Sequence, residues 1–262
     1  MIDKNSLSGT LIVAVGLCLV ASILVSTAAV SLRPAQVRNK ALDKKKNILL
    51  AAGLYKDMES IDDVYAKFVR PKLVELASGN YVTDIDVEKF DERKASKDPA
   101  QAHVIPDGKD ITGIKQHSKL YVAYEIVDAN GTYEQVVLPI HGKGLWSTLY
   151  GFIALGTDSN TVKGLGFYEH AETAGLGGEI DNPRWKAIWP GKKIYGEDGS
   201  MQIRVIKGSV NTSSPDAVHQ IDGISGATIT VRGVSNLVRY WLSDEGFGKY
   251  LVKLKTQHQA GG

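Results

Sequence analysis

Cysteine is nearly absent: the single one, Cys18, falls inside an apolar N-terminal run. No intramolecular disulfide can form, and the rest of the chain has no thiolate for zinc or an iron–sulfur cluster. The six histidines, His103, His117, His141, His170, His219 and His258, stand far apart, and none forms an i,i+3 or i,i+4 pair. No protein-bound metal is expected, so any redox chemistry would come from an organic cofactor. Net charge is only +2 over 262 residues, with no basic patch interleaved with aromatics. A nucleic-acid partner is not expected, because phosphate neutralisation needs clustered Lys and Arg. The chain also lacks a Gly-x-Ser-x-Gly elbow, which argues against an independent hydrolase.

What is present begins with a long apolar segment. Asn5 to Leu32 carries no charged side chain, and Leu11 to Val30 is almost wholly Leu, Ile, Val, Ala and small residues. A bilayer-crossing helix needs about 20 such residues. A cleaved signal peptide is the competing reading, and Ser26-Thr27-Ala28-Ala29 imitates its small-residue cleavage site. Such apolar regions run to about 7–15 residues, so the length favours an uncleaved, single-pass anchor. Arg33-Pro34 should end the helix, since proline cannot continue it. Only Lys4 and the amino terminus precede the segment, whereas Arg33, Arg38, Lys40, Lys44, Lys45 and Lys46 follow it. Charge alone would leave the C-terminal part in the cytoplasm.

Beyond the anchor, residues 35–54 have a helical pattern with Gly53 as a stop. Ser60 is positioned to cap a second amphipathic helix, Ile61 to Leu76. Residues 84–101 are polar and suggest an exposed loop. Short β-prone runs follow at Leu120–Val127, Thr132–Ile140, Leu149–Leu155, Val162–His170 and Met201–Lys207. Asn130-Gly131 should turn a hairpin between the first two. A short helix is expected over Pro183–Trp189 and a last one over Thr230–Leu242. The fold class is therefore α+β: one N-terminal transmembrane helix, then a soluble domain with a mainly antiparallel sheet and flanking helices. The expected divisions are a tail (1–10), the membrane helix (11–32), a helical region (33–77), a loop-rich connection (78–118), the principal domain (119–256) and a tail (257–262).

Asp222-Gly223-Ile224-Ser225-Gly226-Ala227-Thr228-Ile229-Thr230 is a glycine-bearing turn, small residues and then a helix. Its amide-rich helix start suits a phosphate. The plainer reading is that Thr228 or Thr230 caps the helix. His170-Ala171-Glu172-Thr173-Ala174-Gly175-Leu176-Gly177-Gly178 and Gly142-Lys143-Gly144-Leu145-Trp146-Ser147 would, by themselves, be ordinary turns.

In that order, however, the three segments resemble a family of domains that carry flavin mononucleotide (FMN). Asp-x-x-Ser-Gly-Ala-Thr resembles the signature at which a flavin transferase joins FMN to threonine. The second segment is similar to His-x-Glu-Thr-Pro-Gly-Leu-Gly, with Ala174 where that family usually has proline. The third resembles Gly-x-Gly-Leu-Trp. Lys46-Asn47-Ile48-Leu49-Leu50-Ala51-Ala52-Gly53-Leu54 and the closing Trp241-Leu242-Ser243-Asp244-Glu245-Gly246-Phe247-Gly248 are similar to the C subunit of the Na⁺-translocating NADH:quinone reductase. Val231-Arg232 stands where a polar pair often follows the motif.

The resemblance implies that 119–256 is an FMN-binding domain with one FMN per chain, esterified through its phosphate to Thr228 within Ser225-Gly226-Ala227-Thr228. It implies that Glu172, Thr173, Leu176 and Gly177 contact the ring or ribityl chain, and that Leu145 and Trp146 shield an edge. Trp146 has an equal claim to be a core aromatic, while His170, Tyr168 and Trp185 are taken as structural. The implied role is a one-electron relay from an iron–sulfur centre to a second covalent flavin. Its partners would be the other subunits of the complex, the flavin transferase during maturation, and membrane lipid. The implied location is the bacterial inner membrane with the soluble domain periplasmic, against the charge count. Two alternatives stay open: the electron-carrier G subunit of an Rnf-type complex, and an anchored extracytoplasmic binding module with no redox role.

Overall fold

The computed structural model describes residues 6–259; Lys4 and the tail residues 260–262 lie outside them. The chain divides into two units, with the boundary after Lys44. Apart from Ser6, the described part of the first belongs to helix α1, Leu7–Ala51. Among the described residues α1 is the one helix long and apolar enough to cross a membrane, and none of its apolar window is buried. It starts inside the segment expected as a tail and runs on through Pro34, where a break was expected. Proline deletes one backbone donor and crowds the preceding turn, at about 3 kcal/mol. Its φ is still helical, and Ala35, Gln36, Arg38, Lys40 and Ala41 beyond it all tolerate helix well.

The second unit begins at Lys45. After the end of α1 come α2 (Ile61–Phe68), β1 (Val69–Glu75), β2 (Asn80–Tyr81), α3 (Glu92–Ala95), β3 (Ala102–Val104), β4 (Gln116–Ser118) and β5 (Leu120–Val127). Then follow β6 (Tyr133–Lys143), β7 (Thr148–Gly156), β8 (Val162–Glu169), α4 (Pro183–Lys186), β9 (Arg204–Val205), β10 (Gln220–Ile221), α5 (Thr228–Trp241) and α6 (Gly248–Gln259). Six strands form one antiparallel sheet in the order β2-β1-β5-β6-β7-β8. The hairpin at Asn130-Gly131 is present, with Asp128 Oδ1 accepting from the Asn130 and Thr132 amides at 2.8 Å each. The expected strand Met201–Lys207 contracts to β9, which pairs in parallel with β10.

The helix expected to reach Leu76 ends at Phe68 instead, and residues 69–75 become β1. Ser60 does cap it, accepting from the Asp63 amide. Pro71 explains the switch, because it disfavours helix at Arg70 and cannot donate within one. Pro71 pairs with Tyr124 of β5, and β2 reaches only Val74 and Glu75, so the proline lies where β1 is the sheet edge. Nor is 84–101 a free loop. Asp91 caps α3, Ala95 is buried, and the Arg93 guanidinium lies 3.6 Å from the Tyr150 ring centroid. The Glu169 carboxylate accepts from Arg93 at 2.9 and 3.0 Å.

Apolar side chains of the central strands alternate between the two faces of the sheet. Tyr121, Ala123, Leu138 and Ile153 pack with Val234, Leu237, Trp241, Tyr250 and Leu254 from α5 and α6. Val122, Tyr124, Ile126, Val137 and Phe152 pack with Ile48, Leu49 and Ala52. Both faces are therefore covered, which is why the strands are nearly continuous in apolar residues. Helix α6 was not anticipated. It passes through residues 257–259, which had been assigned to the tail, and it buries Tyr250, Leu251 and Leu254.

Candidate functional site

Three turns meet around one carboxylate. The β6–β7 turn closes with the Gly144 amide donating to Ser147 O at 2.8 Å. After β8, the carbonyl of Thr173 accepts from the amides of Leu176 (3.1 Å) and Gly178 (2.9 Å). Residues 222–227 lead from β10 into α5, with Gly226 at φ 74, a backbone region that a β-carbon disfavours. A side chain there would also approach Leu176 Cδ2 to 2.8 Å.

Glu172, 8% exposed, joins these turns. Its carboxylate accepts from the amides of Trp146 (2.9 Å), Leu145 (3.2 Å) and Ser147 (3.2 Å), and from the Thr230 hydroxyl at 2.6 Å. Ser147 Oγ in turn accepts from the Ala171 amide at 2.8 Å. Burial alone would raise the carboxyl pKa, but the Thr230 hydroxyl and the three amides outweigh it and hold Glu172 below its ordinary value. His170 supports the same turn. Its Nδ1 accepts from the Glu172 amide (3.2 Å), and Nε2 lies 2.7 Å from Asp181 Oδ2.

Neither threonine caps α5. The N-cap residue is Ala227, which makes no side-chain cap bond. Thr230 is buried and committed to Glu172. Thr228 is the first residue of the helix, and it is exposed. It lines a cavity of about 560 Å³ together with Ser225, Gly226, Lys207, Ser209 and Arg232. Small-molecule sites commonly measure roughly 300–1,000 Å³.

The other predicted residues divide by exposure. Ser225, Gly226 and Thr173 are at the surface, and Ala227 and Gly177 are buried. Leu145, Trp146 and Leu176 are 49%, 71% and 45% exposed, so Trp146 is no core aromatic. With Ile229 at 54%, they give the turns around Glu172 an apolar outer surface. Trp185 is buried, and its indole N–H donates to Asp222 O at 2.8 Å, steadying the turn before α5. Sequence reasoning overlooked Lys207 and Ser209, which lack a motif, and the part of Thr230, whose partner lies 58 residues away. Among the described residues no group of three His, Cys, Asp or Glu could hold a metal.

An exposed hydroxyl beside two cations, a roomy cavity and an outward apolar surface suit a ligand with a phosphate at one end and an aromatic ring at the other. The FMN-binding domain family matches residues 144–243, from the β6–β7 turn through α5. The C subunit of the Na⁺-translocating NADH-quinone reductase from Pseudomonas aeruginosa is 45% identical over 258 residues, 97% of this chain and 98% of its own length. Its counterpart in Haemophilus ducreyi is 46% identical over 254 residues, 97% of this chain and 96% of its own. The crystal structure of Shewanella oneidensis NqrC superposes with a TM-score of 0.77 at 35% identity, covering 83% of this chain and 99% of that one. The chain belongs to the NqrC family, the C subunits of the Na⁺-translocating NADH-quinone reductase.

Proposed function

We propose that this chain, a flavoprotein subunit of the Na⁺-translocating NADH-quinone reductase, carries one FMN in a phosphoester to Thr228 and relays single electrons. The relay runs between an iron–sulfur centre and the next flavin of the complex, with the other subunits as partners. When bound, FMN supplies the one-electron chemistry; the chain binds, orients and shields it. The observation that carries the reading is the Thr228 hydroxyl. It is exposed, free of any capping duty, and open to a cavity at the start of α5.

The remaining residues have separate tasks. Ser225, Gly226 and Ala227 shape the approach to the hydroxyl. Thr173, Leu176, Gly177, Leu145 and Trp146 offer contact surface for the ring and ribityl chain. Glu172 acts from beneath, holding the turns together rather than moving a proton, because its oxygens already accept from Thr230 and the three amides. Residues 119–256 form the FMN-binding domain, α1 anchors it in the inner membrane, and the soluble unit faces the periplasm, where a flavin transferase modifies it.

Intact mass tests the linkage. Full-length protein made with the transferase should weigh one FMN more than its amino acids, less one water. Thr228→Ala should lose that mass and the flavin fluorescence that survives a denaturing gel. An equally fluorescent variant rules the assignment out.

A further inference from the structure

Resting on the attachment of FMN at Thr228, we infer that Arg232 is a positioning residue that pairs with the phosphate of the ester, assisted by Lys207. Arg232 lies four residues after Thr228 on α5. Residues at i and i+4 share a helix face with β-carbons about 5–6 Å apart, and both of these line the same cavity. That distance is within reach of a guanidinium.

The cavity is sorted by charge. Its lining holds Arg232 and Lys207 and no carboxylate. Asp222, close by in sequence, is occupied with the Val210 amide at 2.7 Å. The clefts around Tyr195, in contrast, are lined by Glu197 and other acids alongside lysines. Three arginines elsewhere on the soluble unit do have partners: Arg93 binds Glu169, Arg204 binds Asp216, and Arg239 donates to the Ile203 carbonyl. Arg232 and Lys207 are exposed and, among the described residues, have no hydrogen bond or ion pair.

A phosphoester linking a threonine to a flavin keeps one negative charge at any physiological pH. The arginine fork matches two phosphate oxygens at once, which a lysine does only as a point charge. Arg232 therefore places a full cation one helical turn from the attachment point. The pairing restrains the ester against rotation and leaves the apolar surface of Leu145, Trp146 and Leu176 free for the ring.

The test uses full-length protein made with and without the transferase, as wild type, Arg232→Gln, Arg232→Lys and Thr228→Ala. On loaded chains the ³¹P resonance of the ester is recorded, together with the rise in thermal midpoint that flavin attachment produces. Arg232→Gln should carry flavin but show a displaced ³¹P resonance and a midpoint rise smaller by about half, with Arg232→Lys restoring part of both. In 1 M NaCl, where screening acts within about 3 Å, the wild type should move toward the glutamine variant. A glutamine variant with wild-type resonance and midpoint rise overturns the role of Arg232 alone. Flavin on Thr228→Ala overturns the attachment site itself, a separate result.

Discussion

Taking a carboxylate out of water is costly unless donors replace the water it loses. At Glu172 the donors come from Leu145, Trp146 and Ser147 on one turn and Thr230 on the helix behind it. Hydrogen bonds to a charged group contribute about 1.5–3 kcal/mol each, and an acceptor cannot be replaced by a donor without loss. Glu172→Gln turns an NH₂ toward amides that already donate, so a loss of about 3 kcal/mol is expected in denaturant unfolding. The pH dependence has a definite sign. Glu172 is held below 4.5 in the fold, so its contribution is fully present above that value and is lost as pH falls through the folded pKa. The thermal midpoint of the wild type should therefore drop more steeply below pH 4.5 than that of Glu172→Gln. Parallel curves would mean that the ionised carboxylate does not hold the turns together.

Between elements, the closest approach near the site is that of α5 to the end of β6. A β-carbon on Gly233 would run into the Lys143 carbonyl oxygen and sit 3.2 Å from its carbon. Two effects compete in Gly233→Ala. Alanine gains about 1 kcal/mol of helix propensity, whereas overpacking costs about 1–3 kcal/mol and here meets backbone that cannot rotate away. Overpacking should win, giving a net loss of roughly 2 kcal/mol at worst and a displaced β6–β7 turn. A denaturant midpoint at or above the wild-type value would show that the helix and turn separate more easily than their contact suggests.

For the whole molecule, charge and proposed function make opposite demands on the side of the membrane. Six cations, from Arg33 to Lys46, follow the apolar run, and the positive-inside tendency would draw them to the cytoplasm. The proposed function puts the soluble unit outside, where a transferase meets Thr228. Protease added to intact spheroplasts should then release the flavin-fluorescent soluble unit, and protease added to inverted vesicles should leave it intact. The opposite pattern would restore the charge count. Within α1 the apolar run carries no ionisable side chain from residue 7 to 32 apart from Cys18, so it supplies no charged group of the kind that marks an ion path.

Local chemistry made much of this protein legible in the sequence. An uncharged run long enough to span a bilayer, alternating strands, Asn130-Gly131, and the residues around Thr228 each state a requirement within a few positions. The misreadings share a cause. Ile61 to Leu76 has a helical pattern throughout, yet pairing with β5 and the constraint of Pro71 turn its second half into a strand. Residues 84–101 look solvated until Arg93 finds Tyr150 and Glu169. Sequence by itself determined the long apolar N-terminal helix and the fold class, and it placed the Ser-Gly-Ala-Thr run at the start of α5. Only the tertiary structure decided that Thr230 is taken by Glu172, that Thr228 is left exposed without capping α5, and that Lys207 and Arg232 line one cavity. Those outcomes depend on which distant backbone amides and side chains the fold brings within hydrogen-bond range.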